Sequence, residues 1–85
     1  MNIVFSGRSI RDGLIYDYAG IWSRAHGEIA WKAAIVRNTA EVCRPFGKIK
    51  VELSDDEILG VIGDGIEGAI TEELARRYAA APMAA

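Results

Sequence analysis

Cysteine, histidine and proline are scarce in this chain of 85 residues. The sequence contains one Cys, one His and two Pro. A single Cys excludes an internal disulfide, and one Cys with one His cannot supply the four ligands of a Cys/His zinc site. The counts therefore exclude a disulfide-stapled mini-protein, and we expect neither a metal nor a cofactor.

Long apolar runs and a strong net charge are also missing. No segment approaches the roughly 18 to 20 apolar residues that cross a bilayer. With 51% apolar residues and a net charge of -2, the composition is unlike that of a disordered chain. Met1 to Phe5 carries no basic residue of the kind that opens a secretory signal. We expect one cytoplasmic globular domain over residues 1–80, a flexible Ala-rich tail over 81–85, and no membrane contact.

The N-terminal quarter predicts a β-hairpin. Residues 2–6 and 14–18 are rich in β-branched and aromatic side chains, and they flank Asp12-Gly13, a dipeptide that favours tight hairpin turns. An alternative stays open, because Ile10, Leu14 and Tyr18 are also spaced as on one face of a helix. In that alternative, residues 9–25 are helical.

The middle of the chain predicts a helix and then a strand. Ile29, Ala33 and Val36 continue with Ala40 and Cys43 as an apolar stripe at helical spacing, which indicates a helix over residues 28–43. After a turn, residues 48–53 alternate between polar and apolar side chains, a pattern typical of a strand with one covered face.

A capping-box pattern marks the start of a C-terminal helix. Ser54 is followed three residues later by Glu57, and an apolar stripe then continues to about Ala80. Four glycines between residues 60 and 68 cost such a helix roughly 3 to 4 kcal/mol. The segment is therefore either two helices broken near Gly63 to Gly65 or one helix whose bare flank is closely packed.

These elements define the predicted fold class, which is α+β. The expected architecture is a small single domain of order ββαβα, with a short sheet packed on two main helices. If residues 9–25 are helical, the order becomes βααβα.

Charge is divided unevenly along the chain. Residues 1–50 hold eight basic and four acidic side chains, whereas residues 51–85 hold two basic and eight acidic ones. A segregated surface of this kind can dock a partner of opposite charge. We expect a non-enzymatic accessory factor or inhibitor of the compact type that phages encode, which binds a basic protein such as a nucleic-acid-processing one. The expected contact residues are the acids of the C-terminal segment, Asp55, Asp56, Asp64, Glu67, Glu72 and Glu73.

Small residues on the same segment suggest self-association. Gly60, Gly63 and Gly68 would let a second helix approach closely, and we expect a homodimer. Gly63 to Gly68 also spells G-x-G-x-x-G, but Asp64 and Glu67 would repel a pyrophosphate there.

The alternative function is nucleic-acid binding by the basic first half. Its candidate residues are Arg8, Arg11, Lys48 and Lys50, and the two lysines share the polar face of the predicted strand. His26 and Cys43 do not belong to a recognisable catalytic pattern, so we expect no enzymatic activity.

Overall fold

Five antiparallel strands precede a single long helix in the structure, a computed structural model that describes residues 2–80. The predicted tail, residues 81–85, lies outside the described part. The elements are β1 (Asn2–Arg11), β2 (Leu14–Ala25), β3 (Glu28–Arg37), β4 (Ala40–Cys43), β5 (Phe46–Ile49) and α1 (Asp55–Ala80). The sheet order is β1-β2-β3-β4. β5 pairs with the first part of β3, on the same edge where β4 pairs with the last part. The molecule is a small α+β domain that consists of one sheet and one helix.

Two-residue turns connect the first four strands. Asp12-Gly13, His26-Gly27 and Asn38-Thr39 all have positive φ at both positions, from 52° to 74°. Positive φ at both central residues defines the hairpin turn whose twist matches that of the strands it joins. The hairpin of β1 and β2 is therefore present, and the helical alternative for residues 9–25 is wrong.

The predicted order ββαβα with two main helices is also wrong, because residues 28–43 form β3 and β4 instead of a helix. In β3 the buried residues are Ile29, Trp31, Ala33 and Ile35, which alternate with more exposed ones. Ile29 and Ala33 belong to both the helical stripe and this alternation, so spacing did not separate the two periods. The β-branched residues of the segment and the turn at Asn38-Thr39 are compatible with strands, and pairing with β2, β4 and β5 holds the segment in that form.

The predicted strand over residues 48–53 is shorter and lies earlier in the chain. β5 covers Phe46–Ile49, so only Lys48 and Ile49 are common to the prediction and the structure. Lys48 is exposed and Ile49 is buried, as the alternation requires.

The C-terminal helix begins with the predicted capping box. The Ser54 amide donates to the Glu57 carboxylate at 3.0 Å, and the Glu57 amide donates to Ser54 Oγ at 3.3 Å. Hydrogen bonding of Ser54 to the Glu57 carboxylate lowers the pKa of Glu57, with the Ser54 amide contributing most and the Ser54 side chain next. The helix then continues without a break through all four of its glycines to Ala80.

The buried row of α1 repeats every four residues. Ile58, Ile62, Ile66, Ile70 and Leu74 are each at most 6% exposed, and they form one core with the sheet. Four residues exceed one helical turn by about 40°, so the row winds around the helix. Because a sheet is itself twisted, a winding row keeps contact with it along the length of the helix.

Cross-strand pairs of an aromatic ring and a glycine shape the covered face of the sheet. Phe5 pairs with Gly20 and Tyr18 with Gly7 on β1 and β2, and Trp31 pairs with Gly47 on β3 and β5. A Cβ at Gly47 would lie 2.7 Å from Trp31 Nε1, and a Cβ at Gly65 of α1 would lie 2.7 Å from Trp31 Cζ2. The Trp31 ring is therefore held between two glycines, one on the sheet and one on the helix.

Polar contacts fix both ends of α1 to the hairpin of β1 and β2. Arg24 lies 3.7 Å from the Asp55 carboxylate near the start of the helix. Further along, Arg11 lies 2.9 Å from Glu67. Tyr78 donates to the Asp12 carboxylate at 3.0 Å, and this bond raises the pKa of Tyr78. The helix thus runs antiparallel to β2.

Candidate functional site

The sheet has one face covered by the helix and one face that α1 does not touch. Strand pairing places alternate residues of β1, β2, β3 and β5 on the second side, where Ala19 pairs with Ala34 and Ile21 with Lys32. We call this side the open face. Its residues are Asn2, Val4, Ser6, Arg8 and Ile10 of β1, Ile15, Asp17, Ala19, Ile21 and Ser23 of β2, Glu28, Ala30, Lys32, Ala34 and Val36 of β3, and Phe46 and Lys48 of β5.

Apolar side chains on the open face are exposed to an unusual degree. The exposed fraction is 81% for Phe46, 78% for Val4, 65% for Ile10 and 47% for Ile15. Singly scattered apolar residues on a surface need no explanation, but these four belong to one sheet face. The open face is therefore a candidate binding surface.

A shallow groove of about 620 Å³ crosses the centre of the open face. Ala19 and Ala34 form its floor, and the larger side chains of Ile21 and Phe46 stand beside them. Lys32 and Arg44 also line it. The groove therefore combines an apolar floor with two cationic side chains in its lining.

Charges of both signs lie on and beside the open face. Arg8 pairs with Asp17 at 2.7 Å across β1 and β2. At the β4 end of the groove, Arg44 pairs with Glu41 at 2.6 Å. These carboxylates raise the pKa of each arginine. Within residues 2–80, Lys32 and Lys48 have no ion pair, and neither has Glu28.

The six acids that the sequence predicts as a binding face are not brought together. Asp55 contacts Arg24, Glu67 contacts Arg11, and Glu73 contacts Arg76 at 3.5 Å. The side chain of Glu73 is only 13% exposed. The remaining three are exposed and follow a row of residues four apart, offset by two positions from the buried row of α1 and bordering, at Gly68 and Glu72, a crevice with Arg44 and Phe46. This outward row is Asp56, Gly60, Asp64, Gly68 and Glu72.

The glycines predicted for self-association face open space. A Cβ at Gly60, Gly63 or Gly68 would meet no atom within 4 Å. Gly60 and Gly68 lie in the outward row between its acids, so a second copy approaching there would bring like charges together. The glycine that is closely packed is Gly65, which sequence spacing does not distinguish from the others.

The four residues of the nucleic-acid alternative are also divided. Arg8 and Lys48 lie on the open face, whereas Arg11 turns to the helix side and donates to Glu67 and Thr71. Lys50 is exposed after the end of β5. Lys32, which the predicted nucleic-acid residues do not include, is the cation nearest to Phe46 in strand register.

Cys43 and His26 are the nucleophilic and imidazole groups of the chain. Cys43 is half-buried in β4, and burial raises the pKa of its thiol, with a further contribution from Glu73. His26 is exposed in the turn between β2 and β3. Residues 2–80 contain no group of three or more His, Cys, Asp or Glu side chains placed to hold a metal ion.

One feature of the sequence, the composition of β3, indicates the open face. β3 reads EIAWKAAIVR, a nearly continuous apolar run. Such a run is typical of a strand with apolar surroundings on both sides. The prediction of a helix over residues 28–43 leaves no place for a second apolar face of the sheet.

Comparisons with known proteins return no relative. No protein-family model matches the chain, and neither a curated protein nor a solved structure matches it. Among the described residues, no helix has the length and apolar character needed to span a bilayer.

Proposed function

We propose that the protein is a non-enzymatic protein-binding module, an accessory factor or inhibitor, that contacts its partner through the open face. The observation that carries the proposal is the two-sided apolar character of the sheet. The helix buries one side, where Tyr16 and Ile35 are completely inaccessible, whereas Phe46 and Val4 remain about four-fifths exposed on the other. Exposed apolar side chains concentrated on one face of a sheet favour an interaction site.

The form of the surface favours a protein over a small molecule. Ligand pockets enclose most of the surface of a small ligand within concave walls. The row of Ile21, Lys32 and Phe46 bounds the groove on one side of its alanine floor. Ile10 and Ile15 lie on the same face beyond the Arg8–Asp17 pair. A broad, weakly concave apolar area with charged margins matches the composition of protein interfaces.

The acids of the outward row supply a competing contact surface on the same molecule. Asp56, Asp64 and Glu72 are exposed, and none of them has an ion pair within residues 2–80. They suit the basic partner that the sequence analysis predicts. A binding experiment therefore has to separate the open face from the outward row.

We would test the proposal by capturing partners from cells that produce the protein, with the full chain as bait. Ala19→Glu places a charge at the centre of the open face, and Asp64→Lys reverses a charge on the outward row. As a matched control, Ala75→Glu introduces the same alanine-to-glutamate substitution at an exposed position of α1 outside both surfaces. We expect a specific partner to bind the wild-type chain, Asp64→Lys and Ala75→Glu, and to be lost with Ala19→Glu. Loss of the partner with Asp64→Lys alone would show that the partner binds the outward row of the helix and not the open face.

A second candidate function is the binding of single-stranded nucleic acid on the same face. The specific observation is that Phe46 projects beside Lys32 and close to Lys48, an exposed aromatic ring with two cations. Exposed rings on a sheet can stack on bases while cations contact phosphates. The acids Asp17 and Glu28 on the same face oppose this function.

Fluorescence anisotropy with a short labelled oligonucleotide tests the nucleic-acid candidate. If it is correct, binding weakens steeply with added salt and is lost in the double variant Lys32→Glu, Lys48→Glu. If the protein-binding proposal is correct, the oligonucleotide gives no salt-sensitive signal.

A further inference from the structure

We infer that the occupant of the open face is a second copy of this chain. Two copies would pack open face to open face about a two-fold axis, which gives a central pair of sheets with one helix on each outer side. The inference rests on the proposed function, because it identifies the partner of the same surface. It places the self-contact on the sheet and not on Gly60, Gly63 and Gly68.

The area of the open face is sufficient for a stable dimer. Strands of 10 to 12 residues form β1, β2 and β3, and at about 3.4 Å per residue they are about 34 Å or more long. Four strand positions spaced about 4.8 Å apart give a width of about 19 Å. The flat area is thus about 650 Å² per copy and about 1,300 Å² for two, within the range of specific interfaces.

The charges of the open face suit a copy of itself. Away from its axis, a two-fold contact brings a residue opposite a different residue of the second copy, so a face with both signs can match its cations with its own acids. The open face carries Lys32 and Lys48 together with Glu28, beside the internally paired Arg8 and Asp17. A face with one sign only would repel its copy.

The outward side of the helix lacks this property. Its row presents Asp56, Asp64 and Glu72 with glycines between them. A two-fold contact there would place carboxylates near carboxylates, which is unfavourable. Self-association through the helix is therefore the poorer arrangement.

The relief of the open face also suits packing of two sheets. Facing sheets lie about 10 Å apart, with large side chains of one sheet over small ones of the other. Phe46 and Ile21 project, whereas Ala19, Ala30 and Ala34 leave space between them. Phe46 of each copy would fill the alanine-floored groove of the other.

Analytical ultracentrifugation across a wide range of protein concentration tests the inference. We expect the wild-type chain and Ala75→Glu to sediment with twice the mass of the chain. Ala19→Glu would bury an unpaired charge at the contact, and we expect it to raise the dimer dissociation constant about 100-fold or more. Circular dichroism would show whether Ala19→Glu is folded, and Phe46→Ser provides a second variant that removes a side chain the monomer does not bury.

Three results would overturn the inference. One is a wild-type chain with the mass of a single copy at every concentration. Another is a dimer that neither Ala19→Glu nor Phe46→Ser weakens. The third is amide-exchange protection that appears on dimerisation along the free edge of β1, which would show that β1 pairs with its copy edge to edge.

The same variants separate this inference from the proposed function. If the chain is monomeric but still captures a partner that Ala19→Glu abolishes, the second copy is refuted and the open face remains a protein-binding site. If the chain is monomeric and Ala19→Glu has no effect on capture, both proposals fail.

Discussion

Replacing Gly65 with alanine should have the opposite effect on stability to the same change at the other glycines of α1. Alanine in a helix interior is favoured over glycine by about 1 kcal/mol. At Gly60, Gly63 and Gly68 the new methyl group would meet no atom within 4 Å. Each of these changes should therefore raise the free energy of unfolding by about 0.5 to 1 kcal/mol.

At Gly65 the methyl group would overlap a buried ring. Its Cβ would lie 2.7 Å from Cζ2 and 3.0 Å from Cη2 of Trp31, well inside the optimal separation of about 3.5 to 4.0 Å. Trp31 is 8% exposed, and its ring also lies against Gly47 of the sheet, so the ring has little room to move. Overpacking of this kind costs about 1 to 3 kcal/mol. We expect Gly65→Ala to be about 1 to 3 kcal/mol less stable than Gly63→Ala.

Urea denaturation followed by circular dichroism would measure the four single variants. The Trp31→Leu background supplies a further test, because the smaller side chain removes the overlap and Gly65→Ala should then become stabilising. In thermal unfolding, the difference between Gly65→Ala and Gly63→Ala corresponds to about 4 to 8 °C for each kcal/mol. A Gly65→Ala protein as stable as Gly63→Ala would refute the packing of Trp31 described above.

Two further predictions concern titratable groups. The pKa of Glu57 is lowered by its bond from the Ser54 amide, so its contribution to stability is present above the ordinary glutamate pKa of about 4.3 and is lost as the pH falls through the lower folded value. Thermal unfolding should therefore show Glu57→Gln less stable than wild type at neutral pH, and the difference should vanish in strong acid, where Glu57 of the wild type is protonated. A difference that stays constant with pH would contradict this. The pKa of Cys43 is raised by burial and by Glu73, so its alkylation by iodoacetamide at neutral pH, followed by mass spectrometry, should be slower in the folded chain than in urea. Equal rates would show that the thiol is freely accessible.

Local sequence signals predicted those parts of the fold that depend on neighbouring residues. The Asp12-Gly13 turn and the Ser54 to Glu57 capping box are both present, because each uses bonds or dihedral angles within a few residues. The start of α1 at Asp55 is likewise as predicted, whereas the sequence left open a break near Gly63 to Gly65, and the structure shows one unbroken helix to Ala80. Each of these signals marks a turn or the start of a helix and carries no information on which distant segments pair.

Features that depend on distant contacts were missed. Residues 28–43 fit a helical and an extended period equally well, and pairing of β3 with β2 on one side and with β4 and β5 on the other decides between them. The pairing of Glu67 with Arg11 crosses 56 positions of the chain, so an acidic helix face drawn from sequence included side chains that are already engaged. The contact of Gly65 with Trp31 is equally remote in sequence.

The four-residue spacing of the buried row has a consequence for how the length of this helix can change. Adding or removing one residue turns everything beyond it by about 100°, which would take the following isoleucines out of the core. Adding or removing four residues advances the row by one step, so Ile62 or Ile66 would be succeeded by another buried position in the same line. Insertions and deletions in α1 should therefore be tolerated in units of four, and the helix can lengthen or shorten along the sheet without a new core.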